Sequence, residues 1–246
     1  MNPSLLSKIV TLALQKVEKT LYVQVKSLSP ETKLSTFNKI VNQIYNISSK
    51  SAIDRFDTRV VLTDFRDSLT CSPSSSSKLQ TSHAIDTVIT LSPDNSYFEY
   101  LENKKDGIYN EVLLIDSKTE NVQLSSAQGV DEDRTDKKCE NTSNLANEDK
   151  MYEHVVIGGT FDQLHSGHKM LISAAILRAK KSLTIGVTDG VMIKTKKLWE
   201  LIEPCDKRIE KLKEFLMDVE PRLEYNVVPI TDPYGPTAHV PTLQVI

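Results

Sequence analysis

The sequence has few cysteines, no excess of positive charge and no long hydrophobic segment, and each absence excludes a class of protein. Cys71, Cys139 and Cys205 are odd in number and far apart, which excludes a disulfide framework and a CxxC metal site and favours free thiols in the cytoplasm. The formal net charge of -3 gives no basic surface for nucleic acid or an anionic membrane. No apolar run approaches the about 18 residues that cross a bilayer. We therefore expect a cytoplasmic protein with no nucleic-acid partner and no transmembrane segment.

Glycine is scarce in the first 150 residues, which hold only Gly107 and Gly129 of the eight glycines. About ten would be expected there at the usual frequency of about 7%. Loops that bind phosphate need glycine, because the backbone must come close to the ligand and adopt positive φ angles. A nucleotide site is therefore expected after residue 150.

Composition divides the chain into two folded regions joined by a linker. Residues 1–116 have helical and β-rich runs but no Gly-rich turn and no clustered acids, so we expect a small α/β domain with a scaffold or partner-binding role. Residues 117–150 contain no aromatic residue and are rich in charged and amide side chains, which predicts a disordered linker. Residues 151–246 form the domain in which we expect the chemistry.

Hydrophobic spacing predicts the elements of the first region. Apolar residues recur at helical intervals over residues 4–28, which predicts one long amphipathic helix, and Pro30 opens a second helix. Three β-rich runs follow at 58–62, 84–91 and 110–116. The first helix has four lysines but no arginine, so association with the mitochondrial surface is a weak alternative to a purely cytoplasmic location.

Strands and helices alternate in residues 151–246. β-rich runs at 154–157, 183–187 and 222–228 are separated by a helical segment that runs to Lys180 and by a helix that Pro204 opens. This order predicts a Rossmann-like parallel sheet, and such sheets bind ligands at the carboxyl ends of their strands.

The turn after the first of these strands holds a set of residues suited to phosphate binding. Gly158 and Gly159 let the backbone approach a phosphate, and the helix N-terminus that follows offers unpaired N–H groups. His165 and His168 are three residues apart, so on a helical turn they share a face and can donate to phosphate oxygens without a metal.

Neighbouring residues add to this site and limit the alternatives. Gly167 leaves room for a base or ribose, and Thr160 supplies a hydroxyl. No nearby cysteine or third histidine completes a zinc site, and Asp162 could only assist a hydrated Mg²⁺. A purely structural histidine pair does not explain why both lie at a Gly-rich turn. The absence of Walker A and GxGxxG motifs disfavours P-loop and dinucleotide-binding folds.

The motif GGTFDQLHSGH, residues 158–168, resembles the GGTFDxLHxGH signature of the HxGH nucleotidyltransferases. Three more stretches, KTKK at 194–197, LIEP at 201–204 and DPYGPT at 232–237, are similar to eukaryotic phosphopantetheine adenylyltransferases, a domain also found in bifunctional coenzyme A synthase. The resemblance covers residues 153–246 and is loose before them. It implies transfer of AMP from ATP, supplied with Mg²⁺, to 4′-phosphopantetheine, which yields dephospho-coenzyme A and pyrophosphate.

The resemblance also implies roles for the residues that should bind ATP. His168 matches the second histidine of the motif, which stabilises the pentavalent transition state, and His165 matches the first, near the nucleotide phosphates. The remaining ATP contacts are expected from the glycines of the motif: Gly158, Gly159 and Gly167.

A second group of residues is implied to bind the acceptor. Thr160 and the backbone of Phe161 match the contact to the phosphate of phosphopantetheine. A lysine after the second strand binds both phosphates in the family; we expect Lys196 in this catalytic role, with Lys194 and Lys197 as alternatives. No metal-ligating residue is expected.

The sequence departs from the family at its carboxyl end. It stops at residue 246, before the further strand, the arginine-bearing segment and the SSTxxR-like phosphate site of the family. We therefore expect an incomplete domain, a fragment or truncated product with little or no activity. Arg208 is expected to cap or pair within its own helix.

Two other functions remain possible from the sequence. The sequence also leaves open whether the chain self-associates. A cytidylyltransferase that acts on a phospho-alcohol shares HxGH chemistry and would depend on CTP. A non-catalytic interaction protein built on the first region would be unaffected by His168→Ala.

Overall fold

A computed structural model describes residues 3–25, 32–50, 56–70, 81–83, 87–90, 111–114, 149–235 and 244–245. The helices are α1 (Pro3–Leu14), α2 (Leu34–Lys50), α3 (Thr63–Thr70), α4 (Ser166–Arg178), α5 (Val191–Lys194) and α6 (Cys205–Val219). The strands are β1 (Thr20–Gln24), β2 (Asp57–Val61), β3 (Thr87–Thr90), β4 (Glu111–Leu114), β5 (Tyr152–Gly159), β6 (Ala179–Thr188), β7 (Glu224–Ile230) and β8 (Gln244–Val245). Nearly all of the predicted linker, together with Cys71 and Cys139, lies outside the described residues.

The chain divides into two compact units, residues 1–83 with 148–246, and residues 84–147. In the second unit, β3 pairs with β4 in parallel. In the first, β1 pairs with β2 in parallel, and the described strands of the larger sheet lie in the order β7-β6-β5-β8, also all parallel. The predicted α/β class with a Rossmann-like parallel sheet is confirmed. No helix in the described part of the chain is long and apolar enough to cross a membrane.

The first unit has one core to which both ends of the chain contribute. Helix α2 packs against α4, and its buried side chains join those of α4 and of the β5–β6 pair in one hydrophobic cluster. The predicted division placed residues 1–116 and 151–246 in separate domains, whereas residues 1–83 and 148–246 fold here as one unit. The polar composition of residues 117–150 carries no information about which segments of the chain share a core.

The predicted helix over residues 4–28 is wrong in its second half. Helix α1 ends at Leu14, and residues 20–24 form β1, which pairs with β2 from Thr20 opposite Asp57. The run Thr-Leu-Tyr-Val-Gln is rich in β-branched and aromatic residues, and pairing with a neighbouring strand overrides its helical spacing. The second predicted helix, the strand at 58–62 and the predicted elements after residue 151 are confirmed with small shifts in their bounds. The strands predicted at 84–91 and 110–116 are confirmed over 87–90 and 111–114, and their remaining residues lie outside the described ones.

Candidate functional site

The predicted site lies at the carboxyl edge of the four-stranded sheet. Gly159 at the end of β5 pairs with Val187, and Thr188 at the end of β6 pairs with Ile230 at the end of β7. The N–H of Asp189 donates to the carbonyl of Ile230 over 2.8 Å, which holds the loop after β6 against the end of β7. The turns after these strands therefore meet at one edge.

The turn between β5 and α4 has a strained backbone. Phe161, Gln163 and Leu164 have φ angles of 51°, 57° and 26°, in the left-handed region that side chains other than glycine rarely adopt. The ring of Phe161 is only 1% exposed and anchors the turn in the core. A Cβ atom on Gly159 would lie 3.1 Å from Cζ of this ring, so close approach of the ring requires glycine there. Such strain is typical of turns that place functional groups.

The two predicted histidines stack on each other at the start of α4. Their ring centroids are 3.8 Å apart with an interplanar angle of 25°. His165 is the N-cap of the helix, and its Nδ1 accepts the N–H of His168 at 3.4 Å, which fixes the tautomer at Nδ1 as an acceptor. A Cβ atom on Gly167 would lie 3.1 Å from Cε1 of His165. The ring of His165 therefore fills the space next to the Cα of Gly167 in which a base or ribose was expected to lie.

The environment of His168 keeps its imidazole neutral. The side chain is half-buried, and its ring also lies 5.3 Å, centroid to centroid, from that of Phe161. Desolvation, followed by the neighbouring His165, lowers the pKa of His168 from 6.5 to about 4, while Asp162 acts in the opposite direction. Among the described residues no group hydrogen-bonds to its buried Nδ1. At neutral pH His168 can therefore donate from one ring nitrogen and accept at the other.

Arg208 joins the ends of β5 and β6. Its guanidinium donates from Nη1 to the carbonyls of Thr160 (2.7 Å) and Thr188 (3.0 Å), and from Nε to the carbonyl of Glu203 (2.7 Å). The residue is 2% exposed. The expectation that Arg208 caps or pairs within its own helix is wrong, because the side chain reaches out of α6 to three carbonyls of the site loops. Sequence spacing gives no signal for such long-range bonds.

Thr160 is positioned by both of its polar groups. Besides the bond from Arg208 to its carbonyl, its Oγ1 accepts from Oγ1 of Thr188 at 3.3 Å. Thr160 therefore lies between two strand ends, half-buried, at the edge where the sequence predicts the acceptor phosphate.

The three candidate lysines follow β6. Lys194 ends α5, and Lys196 and Lys197 follow after Thr195; all three side chains are exposed. The N–H of Lys196 donates to the carbonyl of Ile193 over 2.9 Å, so its backbone continues the helical turn. Their place after β6 puts all three at the carboxyl edge of the sheet, with side chains free to reach a ligand there.

Asp162 and the 232–235 turn show no metal-binding arrangement. Oδ1 of Asp162 accepts the N–H of Glu203 at 3.1 Å, and Oδ1 of Asp232 accepts the N–H groups of Tyr234 (2.9 Å) and Gly235 (2.8 Å). Within the described ranges no group of three or more His, Cys, Asp or Glu side chains could hold a metal ion. Both carboxylates therefore accept backbone N–H groups, Asp232 within its own turn and Asp162 across a sequence separation of 41 residues.

Comparisons with known proteins bear on this same region. Residues 156–237 match the family described as cytidylyltransferase-like. The chain is 39% identical over 88 residues to a phosphopantetheine adenylyltransferase of Saccharomyces cerevisiae, covering 36% of this chain and 29% of that protein. It is 40% identical over 88 residues to the phosphopantetheine adenylyltransferase of Methanothermobacter thermautotrophicus, covering 36% of this chain and 51% of that protein. It is 38% identical over 95 residues to the phosphopantetheine adenylyltransferase of Pyrobaculum aerophilum, covering 39% of this chain and 60% of that protein. The matched stretch thus spans between 29% and 60% of these relatives.

Proposed function

We propose that this chain transfers AMP from ATP to 4′-phosphopantetheine, since residues 156–237 match the cytidylyltransferase-like family and the chain is similar to phosphopantetheine adenylyltransferases. The observation that carries the proposal is the stacked His165–His168 pair at the N-terminus of α4, next to a glycine-rich strand end. Unpaired N–H groups and a positive helix end are suited to the phosphates of a nucleotide.

The reaction needs positioning and charge stabilisation but no covalent enzyme intermediate. A phosphate oxygen of 4′-phosphopantetheine attacks the α-phosphorus of ATP, and a new P–O bond forms. The bond from the α-phosphorus to the oxygen bridging to the β-phosphorus breaks, and pyrophosphate leaves with that oxygen. Negative charge builds on the other α-oxygens in the transition state, where fixed hydrogen-bond donors have their largest effect.

Each residue of the site then has a defined task. His168, neutral at pH 7, donates from a ring nitrogen to an α-phosphate oxygen, and His165 contacts the nucleotide phosphates. Of the three motif glycines, Gly158 is left to allow close approach of the nucleotide, since Gly159 and Gly167 make room for the rings of Phe161 and His165.

The acceptor is held on the other side of the reacting phosphorus. Thr160, with the backbone of Phe161, binds the acceptor phosphate, since Arg208 and Thr188 fix it at the strand ends. Lys196 reaches from the loop after β6 to bridge both phosphates. Mg²⁺ arrives with ATP, as a partner of its phosphates rather than as a resident metal.

The proposal is tested by mass-spectrometric detection of dephospho-coenzyme A. The purified chain is incubated with ATP, Mg²⁺ and 4′-phosphopantetheine, beside His168→Ala and a matched His154→Gln control. His154 lies near the start of β5 and binds Oγ of Ser182 at 2.8 Å, away from the carboxyl edge. We expect a low but measurable yield of product from the wild type and from His154→Gln, and a further loss of about 10²–10³-fold in His168→Ala. Absence of product from the folded wild-type chain would contradict the proposal for this chain.

A second candidate is cytidylyl transfer, because the matching family is described as cytidylyltransferase-like. A parallel incubation with CTP in place of ATP separates the two. Product that forms with CTP and a phospho-alcohol, but not with ATP and 4′-phosphopantetheine, would favour this alternative.

A further inference from the structure

Helix α4 carries the histidine pair on its first turn, and a segment outside the region matched by known proteins binds both of its ends. That segment, residues 56–70, comprises β2 and α3 with their flanking residues. We infer that residues 56–70 position α4, and through it His168, so that the amino-terminal part of the chain is a component of the catalytic fold. The inference rests on the proposed function insofar as it gives His168 a nucleotide to contact.

The start of α4 is held through Lys169, the residue that follows His168. Nζ of Lys169 donates to Oδ1 of Asp57 and, over 3.1 Å, to the carbonyl of Thr58. Lys169 is only 7% exposed, and a buried ammonium is costly unless it is paired. The position of the first helical turn is therefore tied to the first residues of β2.

The end of α4 is held through Arg66 of α3. Its Nη1 donates to the carbonyl of Ile176 in the last turn of α4 (2.8 Å) and to that of Ala179, and its Nη2 to that of Lys180 (3.3 Å), the last two being the first residues of β6. The last carbonyls of a helix have no partner within the helix, and they form its negative end, so a buried arginine there stabilises the terminus. With Lys169 at one end and Arg66 at the other, the helix is fixed along its axis.

The same segment also binds α6. Arg59 of β2 pairs with Asp57 (2.7 Å), with Glu214 (2.8 Å) and with Asp218, and the last two lie on α6. Asp57 therefore connects Lys169 of α4 with Arg59, which binds α6. Because α6 carries Arg208 at its start, one ion-pair network around the buried Arg59 and Lys169 links the two helices that supply the site.

A purely structural role and a positioning role give different results for substitutions at Asp57. Breaking a buried ion pair destabilises the fold in either case. Only a positioning role also changes the surroundings of His168 in the protein that remains folded. The pKa of His168 reports those surroundings directly, because desolvation is the main cause of its low value.

Three variants of the full chain are tested: Asp57→Asn, Lys169→Met and the double variant that carries both substitutions. Each is compared with the control variant Asp67→Asn. Asp67 of α3 pairs with Arg222 at 2.7 Å, and Arg222 lies outside α4, so Asp67→Asn controls for the loss of an ion pair in the same segment. The pKa of His168 is measured by NMR of its Cε1–H signal, assigned with His168→Gln. Turnover, KM for ATP and thermal unfolding are measured on the same samples. Asp57→Glu, which keeps the charge, serves if Asp57→Asn does not fold.

We expect Asp57→Asn to raise the pKa of His168 by about half a unit or more, as the ring becomes better solvated. We expect kcat to fall about tenfold or more with a smaller change in KM, since small displacements of catalytic groups have large effects on rate. The double variant should lose less than the sum of the single losses. Asp67→Asn should lower the thermal stability but leave the pKa of His168 and kcat unchanged.

The inference is overturned if Asp57→Asn lowers the unfolding temperature but leaves the pKa of His168 and kcat of the folded protein unchanged. Absence of turnover in the wild type would contradict the proposed function, whereas the pKa comparison would still decide whether residues 56–70 position the helix.

Discussion

Arg208 donates from Nη1 to the carbonyl oxygen of Thr160 over 2.7 Å, across a sequence separation of 48 residues. The same nitrogen binds the carbonyl of Thr188, so a single buried guanidinium sets the distance between the ends of β5 and β6. The planar arrangement of its donors suits this role better than the point charge of lysine does. The edge of the sheet where the proposed acceptor phosphate binds is thereby held rigid before any ligand arrives.

Arg208→Lys should reduce both stability and turnover. A lysine ammonium cannot satisfy the carbonyls of Thr160, Thr188 and Glu203 together, and each buried carbonyl left without a donor costs about 1–3 kcal/mol. We expect a loss of at least about 2 kcal/mol in the free energy of unfolding by urea. We also expect a lower kcat in the protein that remains folded.

The control for this substitution is Arg178→Lys. Arg178 donates to the carbonyl of Ala174 within its own helix, so its replacement should leave the strand ends in place. Wild-type turnover in Arg208→Lys would show that the bridge between the strand ends is dispensable.

Nucleotide binding should raise the pKa of His168. In the free protein that pKa is about 4, because burial and His165 both disfavour the charged imidazole. A bound phosphate brings negative charge next to the ring and favours the protonated form, so the shift on binding must be upward. NMR titration of the Cε1–H signal with and without pyrophosphate, and then ATP, measures it. An unchanged pKa at saturating ATP would place the phosphates away from His168.

Stability should fall as the pH falls from about 6.5 towards 4. In the unfolded chain His168 takes up a proton near its ordinary pKa of 6.5, but in the folded protein only near 4. Between these values the unfolded state binds more protons, so the contribution of His168 is complete above pH 6.5 and is lost on acidification. Urea unfolding of wild type and His168→Gln between pH 4 and 7 should show a shallower pH dependence for the variant. His154→Gln is the control. Equal pH dependence of the unfolding free energy in the wild type and His168→Gln would show that His168 is not the cause of the loss of stability.

The local parts of the site could be predicted from the sequence. Glycines at a strand end and two histidines at i, i+3 before a helical run place those residues together whatever the rest of the chain does. The strained φ of Phe161 and the N-cap role of His165 could not be predicted, because the motif gives residue types and not backbone angles.

The long-range parts were missed for a different physical reason. The bond from Lys169 to Asp57 spans 112 residues, and a buried lysine looks like a surface lysine in a sequence. The residues of β1 are predicted as helix, since their apolar spacing suits both structures and only pairing with β2 decides between them. The shared core of residues 1–83 and 148–246 likewise arises from packing that no local pattern encodes.

Alanine substitution at each of the three lysines after β6 should single out one of them. Lys194, Lys196 and Lys197 are all exposed, so none is needed for folding and all three variants should unfold at the wild-type temperature. We expect Lys196→Ala to lower kcat/KM about 10²-fold or more, as for loss of a phosphate-binding donor, and the other two to lower it far less. Steady-state kinetics with both substrates measures this. An equal, small effect of all three would indicate a diffuse electrostatic contribution instead.

Gly167→Ala should separate the histidine rings without unfolding the protein. Alanine favours a helix over glycine by up to about 1 kcal/mol, which offsets the crowding energy. The new Cβ, however, would lie 3.1 Å from Cε1 and 3.2 Å from Nδ1 of His165, so the ring of His165 must shift from its place in the stack with His168. We expect unfolding within about 1 kcal/mol of wild type, a changed chemical shift for both histidines, and a turnover about tenfold lower. Gly158→Ala, whose Cβ would have its nearest contacts at 3.8 Å, should leave the two histidine signals in place. Unchanged histidine shifts in Gly167→Ala would mean that the stack tolerates the methyl group and that glycine is not required there by the ring of His165.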